Sequence, residues 1–176
     1  MENKSNNMFC FQCQEAANGK GCILKGVCGK NSSTSAAMDL LLFVVRGVCS
    51  IADILRNNGF QIEKTVNNYI TDALFSTITN ANFDDESILS RVEKGLKIRN
   101  MFIDLAKEKN ISLPECDEIQ WNGDRDSYTD KAKEVGVLRE ENEDLRSLKE
   151  LILYGLKGMA AYLEHAVRLG YDDESI

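Results

Sequence analysis

"AMDLLLFVVRGVCSIADILRNNG", Ala37 to Gly59, decides the fold class. Its apolar residues Ala37, Leu41, Val44, Val48, Ile51 and Leu55 recur in steps of four and three, the spacing of one helical face. Ser32, Ser33 and Thr34 stand just ahead as N-cap candidates, and Gly59 supplies the stop. The same periodicity predicts a second helix over Glu63 to Thr79 and a last one over Glu143 to Leu169. The last shows Leu148, Ile152, Leu156, Met159, Leu163 and Ala166 on its apolar face. A third helix is predicted from "DDESI", Asp84 to Ile88, to about Lys109, because an N-cap aspartate and first-turn acids suit the positive end of a helix dipole. Strand signals are almost absent, so the expected fold class is all-α, a helical bundle. Between the third and last helices, "NISLPECDEIQWNGDRDSYTD" (Asn110 to Asp130) holds the single proline, the single tryptophan and an Asn122-Gly123 turn, and reads as a long loop.

The first and last helices align with each other at a shift of 111 residues: "LLLFVVRGVCSIADILRNNGF" (Leu40 to Phe60) on "LILYGLKGMAAYLEHAVRLGY" (Leu151 to Tyr171). Phe43 pairs with Tyr154, Arg46 with Lys157, Gly47 with Gly158, Asp53 with Glu164 and Gly59 with Gly170. "DDESI" returns at Asp172 to Ile176 as a second helix start. The expectation is therefore an N-terminal piece of a longer protein.

Composition narrows the function. Twenty-eight acids against 21 bases give a net charge of -7, which repels phosphate backbones and argues against a nucleic-acid partner. The apolar run Ala36 to Val45 is broken by Asp39 and stopped by Arg46, far short of the ~20 residues that span a bilayer. The polar start "MENKSNN" has no apolar segment like that of a secretory signal. A cytoplasmic location follows as the expectation, with no membrane partner, and a reducing compartment disfavours disulfides.

Four of the six cysteines fall in "MFCFQCQEAANGKGCILKGVCGK", Met8 to Lys30, as C-x2-C-x8-C-x5-C: Cys10, Cys13, Cys22 and Cys28. A C-x2-C turn lets two thiolates reach one centre, and the longer arms can bring two more from other sides. Glycines 19, 21, 26 and 29 allow tight turns and close approach of backbone N–H groups to sulfur. A thioredoxin-like pair would need a βαβ setting that the chain lacks. An iron–sulfur cluster is a further reading, since four thiolates without histidine are the usual ligand set for a cubane. A structural zinc site remains open, although such sites usually pair two short knuckles and the second spacing here is longer; on that alternative the chain is a zinc-stapled helical interaction module without redox activity.

The cysteine segment resembles the N-terminus of the hybrid cluster proteins, also called prismane proteins or hydroxylamine reductases. The resemblance continues through "ALFSTITNANFD" (Ala73 to Asp84) and "KEVGVLREENEDLRSLKELILYGLKGMAAYLEHA" (Lys133 to Ala166), and covers nearly the whole chain. It implies that Cys10, Cys13, Cys22 and Cys28 hold a [4Fe-4S] cluster, members with longer spacings being linked to a [2Fe-2S] centre instead. It also implies a helical domain of two three-helix bundles, and hydroxylamine or nitric oxide reduction by the parent enzyme. There the cubane would relay electrons from an external donor protein to a mixed iron–sulfur–oxygen cluster held by later domains. No catalytic residue is assigned within this chain, which alone is expected to be inactive. The expected organisation is a disordered tail at 1–7, an iron–sulfur segment at 8–31, a first three-helix bundle at 32–109, a long loop with a short helix at 110–142, and the first helix of a second, truncated bundle at 143–176.

The remaining residues of note have blander readings. Cys49 reads as a buried inert thiol and Cys116 as an exposed free one. His165, the single histidine, reads as structural. Phe9 and Phe11 bracket the first cysteine as a water screen, Gly155 and Gly158 read as sites of close helix approach, and Lys20, Lys25 and Lys30 as charges that offset the thiolates.

Overall fold

Helix α1, Ser32–Asn57, runs through the middle of the computed structural model, which describes residues 8–79 and 81–171. The expected tail at 1–7 and the second "DDESI" lie outside the described residues. From Met38 to Val45 every residue of α1 is buried, so this helix is covered on all sides rather than on one face. Helix α2 (Lys64–Ile78) contributes Val66, Tyr69 and Ala73 to its surroundings, and α3 (Asp85–Glu108) contributes Ile88, Val92, Leu96, Phe102 and Ala106. Burying side chains of this size stabilises by about 1.5–3 kcal/mol each, which accounts for the cohesion of α1 with its neighbours. Gly95 sets the distance of approach: a Cβ there would stand 2.1 Å from Tyr69 Oη and 2.6 Å from Val44 Cγ1. All described residues outside helices and 3-10 turns are irregular save one isolated bridge, so the all-α bundle expected from the periodicity holds.

The N-cap of α1 is Asn31, not one of the hydroxyl residues that follow it. Its Oδ1 accepts the backbone N–H of Thr34 at 2.9 Å and also the hydroxyls of Ser33 and Thr34. Those hydroxyls reach across to Asp85, at 2.6 Å for Thr34 Oγ1, and tie the start of α1 to the start of α3. Asp84 caps α3 by accepting the N–H of Glu86 at 3.0 Å, which is the role expected of the first "DDESI" aspartate.

The stretch after α3 is more ordered than a bare loop. It forms α4 (Asp117–Gln120), α5 (Tyr128–Glu134) and two 3-10 turns at Arg125–Ser127 and Val137–Arg139. Ile119, Tyr128 and Ala132 enter the core beside α1, and Trp121 stacks edge-on to Phe43 at 6.0 Å. Lys131 lies over both the Phe43 and Trp121 rings while pairing with Asp117 at 2.7 Å. Gly47 admits the Glu118 carbonyl, which would sit 2.2 Å from a Cβ there, and the wholly buried Arg99 donates Nη1 to the same oxygen at 3.0 Å.

Helix α6, Glu143–Arg168, repeats α1 in register. The shift of 111 residues carries the first residue of α1 onto the first of α6 and the last onto the last. Asn142 caps α6 as Asn31 caps α1, accepting the N–H of Leu145 at 3.0 Å. Both helices close with a left-handed glycine, Gly59 at φ +85° and Gly170 at φ +81°, and with the N–H after it returned to the carbonyl five residues back. The faces they use differ. α6 lies along α2 and buries Glu150, Lys157, Ala160 and Glu164, while Leu148, Ile152, Leu156 and Met159 face outward, Met159 70% exposed. Its periodic apolar face is therefore not the face that meets the described core. Gly155 and Gly158, expected at a close helix contact, have open space where a Cβ would stand.

Candidate metal centre

Cys10 and Cys22 form the one isolated β-bridge among the described residues. The Cys10 N–H donates to the Cys22 carbonyl at 3.0 Å, and the Cys22 N–H to the Cys10 carbonyl at 2.9 Å. This reciprocal pair brings the C-x2-C turn and the x8 arm side by side. The approach requires Gly21, where a Cβ would stand 2.6 Å from the Phe9 ring. Cys10 and Cys22 are buried, whereas Cys13 and Cys28 are half-buried, and all four are free thiols. The Ala17 N–H points at Cys22 Sγ at 3.4 Å, the kind of contact that favours a thiolate. Burial pushes the Cys10 thiol up from its ordinary value, offset in part by the Gln12 N–H and the Ser35 hydroxyl. Cys28 Sγ lies 3.1 Å from where a Gly26 Cβ would stand, in a turn closed by Gly26 N–H to Lys30 carbonyl at 2.8 Å.

In donor chemistry the segment fits an iron–sulfur group: four reduced thiols, a backbone N–H aimed at one sulfur, and glycines where side chains would crowd another. The four do not converge on one point. Among the described residues no group of three or more cysteine, histidine, aspartate or glutamate side chains is placed to hold a metal ion. The expected iron–sulfur loop is thus present as a folded cysteine segment with one bridged pair, not as a closed ligand set.

The surroundings of the C-x2-C turn include residues that the sequence reading passed over. Tyr154 of α6 directs its hydroxyl at the Phe11 carbonyl (3.1 Å) and the Cys13 carbonyl (2.8 Å), and its ring meets Phe11 edge-on. Burial, with the Cys13 and Glu150 charges behind it, pushes the Tyr154 hydroxyl up to about 12. Lys157, one turn further along α6, donates to the Gln12 carbonyl at 3.2 Å and to Gln12 Oε1. Gln12 Nε2 in turn donates to Asp39 Oδ1 of α1 at 2.5 Å. Burial pushes Asp39 up to about 7 against the pull of Gln12 and Lys157, and brings Lys157 down to about 8 against the pull of Glu150 and Asp39. The sequence signal for these residues was the alignment of α6 with α1, which sets a hydroxyl-bearing Tyr154 against the wholly buried Phe43 and a buried Lys157 against an exposed Arg46.

Other expected roles shift. Phe9 lies on Gly21 and Phe11 on Tyr154, so both rings line the segment. Lys30 is buried and donates to the Thr79 carbonyl at 2.9 Å, joining the segment to the end of α2; Lys20 and Lys25 are exposed. Cys49 is half-buried rather than buried, with its thiol pushed up by desolvation, and Cys116 is half-buried against the core rather than exposed. His165 stacks edge-on to Phe75 at 5.5 Å, a packing role.

No helix among the described residues is long and apolar enough to cross a membrane. Comparison with known proteins gives close relatives. Hydroxylamine reductase of Bacteroides fragilis (strain YCH46) is 51% identical over 170 residues, covering 97% of this chain and 30% of that protein. Hydroxylamine reductase of Porphyromonas gingivalis (strain ATCC 33277) is 51% identical, covering 96% and 31%, and that of Methanocaldococcus jannaschii 46% identical, also covering 96% and 31%. The chain thus spans about 30% of the length of these curated relatives. A family model described as Prismane/CO dehydrogenase matches residues 8–176, all of the cysteine segment and every helix described above, and the chain belongs to that family.

Proposed function

We propose that this chain is the electron-relaying part of a hydroxylamine reductase, with Cys10, Cys13, Cys22 and Cys28 as the four ligands of a [4Fe-4S] cluster. The observation that carries the reading is the Cys10–Cys22 bridge, which pairs two of the four cysteines across eleven intervening residues with both thiols free. The family match and the identity to hydroxylamine reductases supply the reaction class. When bound, the cluster supplies one-electron transfer. The chain's own residues do the rest. The four thiolates bind, the Ala17 N–H stabilises charge on Cys22, and Phe9 and Phe11 keep water from the segment. The partners are an external electron donor protein and the domains of the parent enzyme that hold its mixed iron–sulfur–oxygen cluster, in the cytoplasm. With four thiolates filling its protein ligand positions, a lone cubane leaves no iron open to hydroxylamine, so the chain alone relays electrons without turnover.

Iron and acid-labile sulfide assays on anaerobically purified chain test this. About four of each per chain, with broad absorption near ~400 nm that bleaches on reduction, are expected. A colourless protein holding one zinc per chain would replace the reading with a structural zinc module.

A further inference from the structure

The three carbonyls that follow Cys10, those of Phe11, Gln12 and Cys13, all accept hydrogen bonds from α6. Tyr154 Oη shares its one proton between the first and third, the third being nearer, and Lys157 Nζ donates to the second. Tyr154 and Lys157 are three residues apart, so they project from one helical face onto one turn of chain. Lys157 also grips the Gln12 side chain, which hands its amide N–H to Asp39 of α1. An ammonium can only donate, so Lys157 takes the Gln12 amide oxygen and turns the amide N–H towards Asp39. The turn is therefore held between two helices through backbone and side chain at once. Lys157 is 1% exposed, and in so dry a position its charge acts on nearby thiolates with little screening.

We propose that α6 is the clamp of the C-x2-C turn, with Tyr154 and Lys157 as positioning residues for Cys10 and Cys13 and Lys157 as the fixed positive charge that favours the reduced cluster. The proposal rests on the reading of Cys10, Cys13, Cys22 and Cys28 as cluster ligands. Tyr154 and Lys157 fix where two sulfurs stand. The ammonium, lying beside a site that gains one electron, stabilises the reduced form more than the oxidised one.

The test uses the full chain reconstituted anaerobically with iron and sulfide, as wild type, Tyr154→Phe, Lys157→Met and Lys157→Arg. Two quantities are read: the rate of iron loss to a chelator, and the midpoint potential. Lys157→Met should lose iron at least tenfold faster. At a fixed potential its oxidised-to-reduced ratio should rise about tenfold, equivalent to a midpoint about 59 mV lower for one electron. Tyr154→Phe should lose iron at least threefold faster with its midpoint unchanged. Lys157→Arg, which keeps the charge, should return the midpoint to within threefold of the wild-type ratio. Wild-type rates and midpoint in Lys157→Met would overturn the proposal, as would a Lys157→Arg midpoint equal to that of Lys157→Met. Should Lys157→Met fail to fold by circular dichroism, Tyr154→Phe decides: iron loss at the wild-type rate overturns the clamp, and faster loss supports it. A wild-type chain that takes up no iron instead defeats the ligand assignment itself, an outcome distinct from both.

Discussion

Lys157 Nζ lies 3.2 Å from the carbonyl oxygen of Gln12, a contact across 145 positions of sequence that joins the last described helix to the cysteine turn. It fixes which way α6 faces. A helix with this much apolar surface would ordinarily turn that surface inward, yet here the buried residues are Glu150, Lys157, Ala160 and Glu164 while Tyr162 is 84% exposed. Hydrogen bonds to the carbonyls of Phe11, Gln12 and Cys13, together with packing on α2, hold that orientation. Buried polar groups persist in a fold only when paired: Glu164 is paired with Arg168, and Lys157 with the segment that carries the candidate ligands.

The matched caps of α1 and α6 give a direct test of the structural repeat. Asn31 and Asn142 each accept one backbone N–H at the third helical position, at 2.9 and 3.0 Å. Replacing either by alanine should cost about 1 kcal/mol. Asn31→Ala should cost the more, because its Oδ1 also serves the Ser33 and Thr34 hydroxyls that reach Asp85. Urea unfolding followed by circular dichroism would measure both; equal losses would show that the link to α3 contributes nothing.

Gly95 is a second case in which local propensity and packing disagree. Alanine is favoured over glycine inside a helix by about 1 kcal/mol. A Cβ at Gly95 would nevertheless stand 2.1 Å from Tyr69 Oη, whose hydroxyl donates to the Arg91 carbonyl at 3.0 Å and cannot retreat without losing that bond. Overpacking of this kind costs about 1–3 kcal/mol, so Gly95→Ala should destabilise the chain on balance. A higher melting temperature for the variant would show that α3 has room to shift.

How much of this was legible in the sequence differs by element. Helices α1, α2 and α6 could be read because apolar spacing reports helical period directly, whatever covers the apolar side, and α3 from the cap and first-turn acids at its start. What covers it is not local information, which is why the outward-facing Leu148, Ile152 and Met159 could not be told from core residues. Asn31 has no distinct signal because three hydroxyl residues compete for the same role, and only the geometry shows Ser33 and Thr34 turned to Asp85. The cysteine spacing was legible. The reach of Tyr154 and Lys157 back to it was not, since no local pattern links positions so far apart.

Asp39 gives the described network a pH signature. Burial raises its carboxyl to about 7 from an ordinary value of 3.8, so between those values the folded chain holds a proton that the unfolded chain releases. Stability contributed by this group is therefore whole below about pH 4 and falls as pH rises to about 7. Lys157, Glu150, Arg46 and Cys10 face the same region. Lys157 stays charged in both states across this window, and Glu150, also raised by burial, slopes the same way as Asp39. Asp39→Asn keeps an oxygen to accept from Gln12 Nε2 and removes the titration. In the metal-free chain its unfolding free energy should fall less steeply than wild type from pH 4 to 7, leaving the two closest at the acid end. Parallel slopes would mean that Asp39 is ionised throughout.

The ligand assignment separates two cysteines that composition alone cannot. Cys28 and Cys49 are both free and both half-buried, so exposure does not distinguish them. Their surroundings do. Cys28 sits in the Gly26–Lys30 turn, with space left around its sulfur by the missing Gly26 side chain, in the same segment as the Cys10–Cys22 bridge. Cys49 lies on α1 against the core, desolvated, with its thiol pushed up, a setting that disfavours the thiolate a metal needs. A serine hydroxyl is a poor substitute for thiolate at iron, so Cys28→Ser should strip most of the iron and sulfide from the anaerobically reconstituted chain and leave its helical content intact. Cys49→Ser should retain the wild-type iron content, with a stability loss of about 1 kcal/mol from placing a hydroxyl against apolar neighbours. Iron retained in Cys28→Ser and lost in Cys49→Ser, with both proteins folded by circular dichroism, would reverse the assignment and move the centre from the N-terminal segment to α1.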